Sequence, residues 1–307
     1  MRDYVSAMAA RRVTPHEREN RPGMDAFSEH IEKIILQFNT RGMARLYQAM
    51  PHGYCYRAAQ LIRNNPGTVL IGTGFPVKGT FETDGPLGAI AMYDVLQSLD
   101  YDPVFVCGPP LSRVLDGRFK THEIPILEWQ ASVPVVEEAL DNLRPALIMS
   151  IERPGIAASG RYFSMHGRDI SAYTAKFDLF FNLSACPTIA FGDGGNEIGM
   201  GNVQHLLTDL PITPAVTTCD ELVIATVSNW GVYGVITELS RLFDKDLLAA
   251  INPQETLSYL MSNGCLDGVT AKATATEDGF PMAVGNQIMR QLQGTLSPNP
   301  ADDLLPV

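Results

Sequence analysis

Thr68-Val-Leu-Ile-Gly-Thr-Gly-Phe-Pro-Val-Lys-Gly-Thr-Phe-Glu-Thr-Asp-Gly-Pro86 begins with apolar residues at consecutive positions, runs into a glycine-rich loop, and ends where a segment of helical length begins. A short apolar run without alternation marks a strand buried on both faces. Similar runs occupy 103–107, 123–127, 146–151, 188–192 and 222–227, and amphipathic stretches of helical length lie at 86–99, 133–143, 171–184 and 231–243. This alternation predicts an α/β fold with a doubly wound, mostly parallel, Rossmann-like sheet. Upstream, Phe27, Ile31, Ile34, Ile35 and Phe38 recur at helical spacing between Met24 and Asn39, and a second helix is expected from Tyr54 to Asn64. Residues 24–66 are thus expected to form a helical extension of a single domain spanning 24–307, with residues 1–23 as a loosely held lead-in.

The 307 residues carry 23 Lys and Arg against 34 Asp and Glu, a formal charge of −11. A surplus of carboxylates opposes a nucleic-acid footprint, which needs clustered cations. Cys55, Cys107, Cys186, Cys219 and Cys265 are scattered and odd in number, so they suggest neither a disulfide framework nor a zinc cluster, and a reducing cytoplasm is the expected compartment. The first 23 residues mix Arg with Asp and Glu and hold no apolar core of a secretory signal. The most apolar runs, such as 177–183 and 222–227, are too short to cross a bilayer, so no membrane partner is expected.

In open α/β sheets, ligands bind at the carboxyl ends of the strands. The loops there are 72–86, 151–155 with 160–162 and 166–169, 192–202, and 228–231. The first is a near miss for a phosphate loop, because Val77 replaces the second glycine and Gly79 follows Lys78 where Ser or Thr is required. The third fails the dinucleotide fingerprint, because Glu197 stands where the last glycine packs. No nucleotide cofactor is expected. Glu82, Asp84, Asp193 and Glu197 would repel a bare pyrophosphate and suit an ammonium group or a hard divalent cation. Arg153, Arg161 and Arg168 offer guanidinium forks for carboxylates, so two of them could hold a dicarboxylate. The same arginines could instead pair with Glu152 and Asp169 at the surface.

Ile151-Glu-Arg-Pro-Gly155, Gly167-Arg-Asp169, Gly192-Asp-Gly-Gly-Asn-Glu-Ile-Gly-Met-Gly201, Ser228-Asn-Trp-Gly231 and Glu82-Thr-Asp-Gly-Pro86 together resemble the C-terminal domain of the D-glutamate cyclase family. The resemblance runs from the first helices to about Asp278-Gly279, and the Gly-Asp-Gly-Gly-Asn-Glu run is its most specific piece. It implies a small-molecule substrate and a ring-closing dehydration of D-glutamate to 5-oxo-D-proline assisted by Mg²⁺ or Mn²⁺. Lactam formation needs a deprotonated amine, an electrophilic γ-carboxylate and a stabilised departing oxygen. Glu82 or Glu197 would act as general base. Asp193, with Asp84 or Glu197, would hold the metal. Asn196 and Asn229 would donate to the developing oxyanion, while Arg153 or Arg168, with Arg161 and Lys78 nearby in the same loops, would bind the anionic end of the substrate.

Each residue type also has an ordinary structural role. Asp and Asn in glycine-rich turns bond their own backbone, which could explain Asp84, Asp193 and Asn196. Asp267-Gly268 and Asp278-Gly279 read as turns, His166 as a structural histidine, and Trp230 and Tyr233 as core. Two competing classes stay open: a non-catalytic domain that binds an amino acid or nucleotide, and a phosphate-handling enzyme using the Lys78 loop. A homo-oligomer is compatible with the sequence.

Overall fold

The computed structural model describes residues 22–38 and 41–296. Apart from Pro22 and Gly23, the expected lead-in lies outside the described residues, as does Asn39. Six parallel strands form one sheet: β1 (Thr68–Thr73), β2 (Asp102–Cys107), β3 (Thr121–Glu123), β4 (Leu147–Ile151), β5 (Thr188–Gly192) and β6 (Glu221–Ile224). Their spatial order is β3-β2-β1-β4-β5-β6. β1 is central, with Val69 opposite both Pro103 and Leu147. The chain leaves β1 toward β2 and later returns to pair β4 on its other side. The loops after β1 and β4 therefore part, opening the crevice that such sheets use for ligands. The expected α/β fold with a parallel sheet and helices ahead of its first strand is what the chain forms.

Helices cover the sheet. α1 (Pro22–Ile35), α2 (Met43–Ala49) and α3 (Tyr54–Asn64) precede β1, and α4 (Pro86–Ser98) links β1 to β2. α5 (Leu111–Leu115) and α6 (Trp129–Leu143) bracket β3, α7 (Asp178–Leu183) precedes β5, and α8 (Ser228–Leu242), α9 (Pro253–Ser262) and α10 (Met282–Leu296) follow β6. α1, α3, α4 and α10 pack on α8, whereas α6 packs on α7. Gly234 makes the first layer possible: a Cβ there would lie 3.2 Å from Cys55 Sγ and Ile35 Cγ2, so the missing side chain lets three helices close on one another.

Several boundaries differ from the sequence pattern for local reasons. The expected strand 123–127 is shifted to Thr121–Glu123, because Pro125 lacks the N–H needed to extend the edge ladder. The expected helix 171–184 breaks into a short turn at Ser171–Tyr173 and α7. Thr174 is extended, and Lys176 Nζ donates to the carbonyl oxygens of Ser171 and Thr174, which ties that break in place. β6 stops at Ile224, since Thr226 N–H is drawn to Ile35 O of α1 and Ser228 already opens α8.

Candidate functional site

The loop after β1 folds back as a tight hairpin of Pro76–Val77 against Thr80–Phe81 and then delivers Glu82 and Asp84 to the crevice. Gly85 completes the delivery. Its φ is +87°, and a Cβ would lie within about 3 Å of Glu152 Cβ, Thr73 Oγ1 and Ile151 O, so only glycine fits. Asp84 Oδ1 then accepts the Gly85 and Asn229 N–H groups at 2.9 and 3.0 Å, and Oδ2 accepts Ser228 N–H at 3.1 Å. Asp193, at the end of β5, also accepts Ser228 N–H, at 3.2 Å. Glu152, directly after β4, accepts Ser228 Oγ–H at 2.6 Å. Three carboxylates are thereby gathered at the N-terminus of α8, the end whose free N–H groups and dipole favour negative charge.

Oxygen atoms of Asp84, Glu152 and Asp193 all lie within 4.8 Å of one another, and all three residues are buried. Glu152 reaches this position from a left-handed backbone, φ 41°, which a β-carbon-bearing residue adopts only at a cost. Arg153, the next residue, faces away from the trio: its Nη1 donates to Thr73 O at 2.8 Å and its Nη2 to Ala175 O at 2.9 Å. The strained Glu152 thus turns two consecutive, oppositely charged side chains to different sides of the crevice.

Arg41 and Asp278 complete the acidic centre. Arg41 lies between α1 and α2, Asp278 in the turn of a hairpin between Thr276–Glu277 and Phe280–Pro281. Arg41 donates to Asp193 at 2.5 Å and also pairs with Asp278. Burial works against its charge, but Asp193 and Asp278 outweigh it and hold the guanidinium firmly protonated.

The carboxylates themselves are pushed upward. Burial and then the charges of neighbouring acids raise Glu82, Asp84 and Glu152 well above the ordinary range. Burial also raises Asp193, where Arg41 works in the opposite direction. Asp278 is pushed up to about 7 by burial and Asp193. Arg41 alone does not compensate this density of acid. Hard oxygen donors at this spacing, short of positive charge, fit a Mg²⁺ or Mn²⁺ ion.

The remaining expected residues divide into two groups. Glu197 is buried close to the centre, yet both its oxygens accept N–H groups of its own loop, from Gly194 at 2.8 Å and Gly195 at 2.6 Å. Glu152, not Glu197, stands with Asp84 and Asp193 in the trio. Asn196 donates to Phe163 O, and Asn229 accepts from Gly85 and Gly88 while donating to Glu277. Both amides are engaged in holding loops together. Arg161 pairs with Asp169 at the surface, Arg168 and His166 are exposed there, and Lys78 sits at the exposed hairpin tip with Nζ 3.3 Å from Ala271 O. Of the expected cations, only Arg153 is carried into the crevice, buried at 4% exposure.

Arg41, Glu152 and Asp278 escaped the sequence reading. Arg41 has no motif around it, Glu152 reads as a surface ion-pair partner, and Asp278-Gly279 is indeed a turn, with Asp278 at φ 50° and Gly279 at φ 81°. A second signal is visible only in three dimensions. Among the described residues, the buried side-chain atoms without a hydrogen-bond partner include Thr73 Oγ1, Thr83 Oγ1, Ser150 Oγ, Arg153 Nε and Thr226 Oγ1. All five belong to the carboxyl ends of strands or the loops leaving them. Buried orphans are rare in native proteins, and five of the nine among the described residues lie at this edge, the other four belonging to helices.

Comparison with known proteins places the chain in a family. The family model described as "D-glutamate cyclase-like, C-terminal" matches residues 31–293. Human mitochondrial D-glutamate cyclase is 34% identical over 213 residues, covering 60% of this chain and 34% of the human protein. The match therefore spans about a third of that relative's length. No helix among the described residues is long and apolar enough to cross a membrane.

Proposed function

Because the chain belongs to the D-glutamate cyclase-like family through its C-terminal domain, we propose that it is a hydro-lyase that closes D-glutamate to 5-oxo-D-proline with release of water. The observation that carries this reading is the pairing of opposites at one crevice: the buried trio Asp84, Glu152 and Asp193 on one side, and buried Arg153 on the other. A zwitterionic amino acid presents both complementary charges. In this reading Asp84, Glu152 and Asp193 hold a Mg²⁺ or Mn²⁺ ion, which when bound supplies Lewis acidity to the γ-carboxylate.

The chain's own groups do the rest. Arg153 binds the substrate carboxylate that does not react, which fixes the rotamer that brings amine and γ-carbon together. Glu82, raised by burial and by Asp278 and Asp193, takes one proton from the ammonium group so that the nitrogen can attack the γ-carbon, the nitrogen gives up its second proton as the N–C bond forms, and both protons go to the departing oxygen, which leaves as water as the C–O bond breaks. A carboxyl titrating above its ordinary range is matched to that exchange near neutral pH. Arg41 fixes the orientation of Asp193. Asn196, Asn229 and Glu197 keep the loops in shape. The free thiols, four of the five buried, suit work in a reducing compartment such as the cytoplasm.

Incubation of the purified chain with D- and L-glutamate and Mn²⁺, followed by mass spectrometry for 5-oxoproline, tests the proposal, with Asp193→Asn as control. Product in the wild type and its loss in the variant support it. Absence of product, or undiminished product in the variant, refutes it. The second reading, a ligand-binding domain without turnover, draws on the short share of the human protein that is matched. It requires D-glutamate binding by calorimetry with no product.

A further inference from the structure

The Asp267-Gly268 turn, far from the strand loops in sequence, lies against Glu82. A Cβ placed on Gly268 would stand 1.9 Å from Glu82 Oε2, 3.0 Å from its Cδ and 3.6 Å from its Cβ, so the three nearest neighbours of that position are all atoms of Glu82. The carboxyl rests on a bare α-carbon. Asp84, Glu152, Asp193 and Glu197 each accept a hydrogen bond, and Asp278 pairs with Arg41. Among the described residues, no donor reaches the oxygens of Glu82, although the residue is 9% exposed. Contact with Gly268 stands in the place of a hydrogen bond as the stop for this side chain.

The stop is itself held on both sides. Leu266 N–H donates to Phe81 O at 3.0 Å and Leu266 O accepts Thr83 N–H at 2.9 Å, which laces the segment before Gly268 to the two residues flanking Glu82. Thr80 Oγ–H extends the lacing to Gly264 O at 2.9 Å. Asp267, fully buried, then clamps the turn: Oδ1 accepts Thr270 N–H and Oδ2 accepts Gly279 N–H, each at 2.7 Å, and its own N–H donates to Lys272 O at 2.9 Å. The bond to Gly279 also fixes the residue that follows Asp278. One dipeptide therefore sets the places of the two acids outside the trio, Glu82 through Gly268 and Asp278 through Gly279. Backbone freedom does not explain the glycine, because its φ lies outside the left-handed region, where alanine is as well accommodated. The room taken by Glu82 does.

We propose that Gly268 is the positioning residue of Glu82: its missing side chain gives the carboxyl a fixed seat at the crevice, and the Asp267 clamp keeps that seat from yielding. The proposal rests on the cyclase reading for the work Glu82 does there, the transfer of protons from the substrate nitrogen. Alanine at 268 removes no acid, yet Glu82 Oε2 has to retreat by at least about 1.1 Å, from 1.9 Å to the 3.0 Å below which Cβ contacts are essentially never found. A misplacement of about 1 Å at a reacting group costs about 10²-fold in rate.

The test pairs positions 82 and 268 in the full chain. Gly268→Ala should lower kcat for D-glutamate at least about tenfold, while KM and Mn²⁺ affinity, followed by electron paramagnetic resonance, stay within about twofold. Aspartate at 82 is shorter by one carbon–carbon bond, about 1.5 Å, and its carboxyl stops short of the seat. Added to Glu82→Asp, Gly268→Ala should therefore change kcat by less than about twofold. An equal loss in both backgrounds, or a Gly268→Ala enzyme with kcat within about twofold of wild type, overturns the proposal. A second measurement needs no turnover. In Glu82→Ala the seat is vacated, so Gly268→Ala should raise the melting temperature by about 1–4 °C by restricting the unfolded chain, whereas with Glu82 present the displaced carboxyl should cancel that gain. The same shift in both backgrounds overturns the contact. Wild-type protein that makes no 5-oxoproline removes the cyclase reading and leaves the melting pair to decide the seat, whereas turnover without coupling between positions 82 and 268 removes the seat and leaves the reading.

Discussion

Replacement of Glu152 by Gln separates the two roles a crowded carboxylate can have. Gln has the same shape and keeps an oxygen to accept Ser228 Oγ–H, so what changes is the charge. In the metal-free protein that charge is a burden, because Glu152 is 5% exposed and its acid neighbours Asp193, Glu197, Asp84 and Glu82 all oppose its ionisation. Relief of one uncompensated buried charge contributes about 1–3 kcal/mol. At about 2–4 °C per kcal/mol, the melting temperature of the metal-free variant should rise by about 2–12 °C at pH 8. The pH dependence has a definite sign. Glu152 is raised on folding, first by burial and then by its neighbours, so from 4.5 upward the native state retains a proton that the unfolded chain releases. Stability in that window falls as pH rises, and Gln should flatten the fall.

With Mn²⁺ the order inverts. Saturation at about a hundred times the dissociation constant adds about 2.7 kcal/mol to the wild type, and a variant binding about a hundredfold more weakly loses nearly all of it. Scanning fluorimetry at pH 5.5 and pH 8, with and without Mn²⁺, reads all four quantities. A Gln variant that melts below the metal-free wild type at pH 8, yet keeps the full Mn²⁺ shift, would refute both the charge argument and the place of Glu152 in the trio.

Arg41→Met should cost about 3–5 kcal/mol, because it leaves Asp193 and Asp278 buried without their cation. Without Arg41 the Asp278 carboxyl, already pushed up to about 7, rises further, so chemical denaturation should show the largest loss above pH 8 and a shrinking one on acidification. Asn229→Leu strips the acceptor from Gly85 and Gly88 N–H and a donor from Glu277, and should lower stability by about 2–5 kcal/mol in urea melts. Lys78→Ala, Arg161→Ala and Arg168→Ala, each exposed and outside the crevice, should leave glutamate turnover and Mn²⁺ affinity within about twofold. A larger loss from any of them would return weight to a site built on the surface cations.

The sheet was legible because burial on both faces leaves a mark on consecutive residues, as in Val69-Leu-Ile71 and Ile189-Ala-Phe191. The carboxyl-edge rule then located Asp84, Asp193 and Arg153 in sequence space, and all three reach the crevice. Glu152 was misread for a physical reason: a positive φ, invisible in the sequence, turns it away from the arginines that follow. Arg41 is joined to Asp193 and to Asp278 by contacts spanning 152 and 237 residues, through turns whose composition says only that they are turns. Asn196 and Asn229 illustrate the opposite error. Their side chains suit an oxyanion, but loop N–H and C=O groups engage them first.

The pairing of Arg41 with Asp193 and Asp278 has a consequence for the order in which the protein is made. The ribosome releases Arg41 first, then Glu82 and Asp84, then Glu152, then Asp193, and Asp278 last of these. After Arg41, each of these arrivals adds negative charge, while Arg41 waits between α1 and α2, and α8, on which α1 packs, has yet to be synthesised. The acidic centre therefore has no stable partial form during translation. It closes in one step, when α8 and the Asp278 hairpin have emerged to seat α1 and bring the early cation onto the late acids, so nascent chains halted before Asp278 should expose the edge to proteolysis even with all six strands complete.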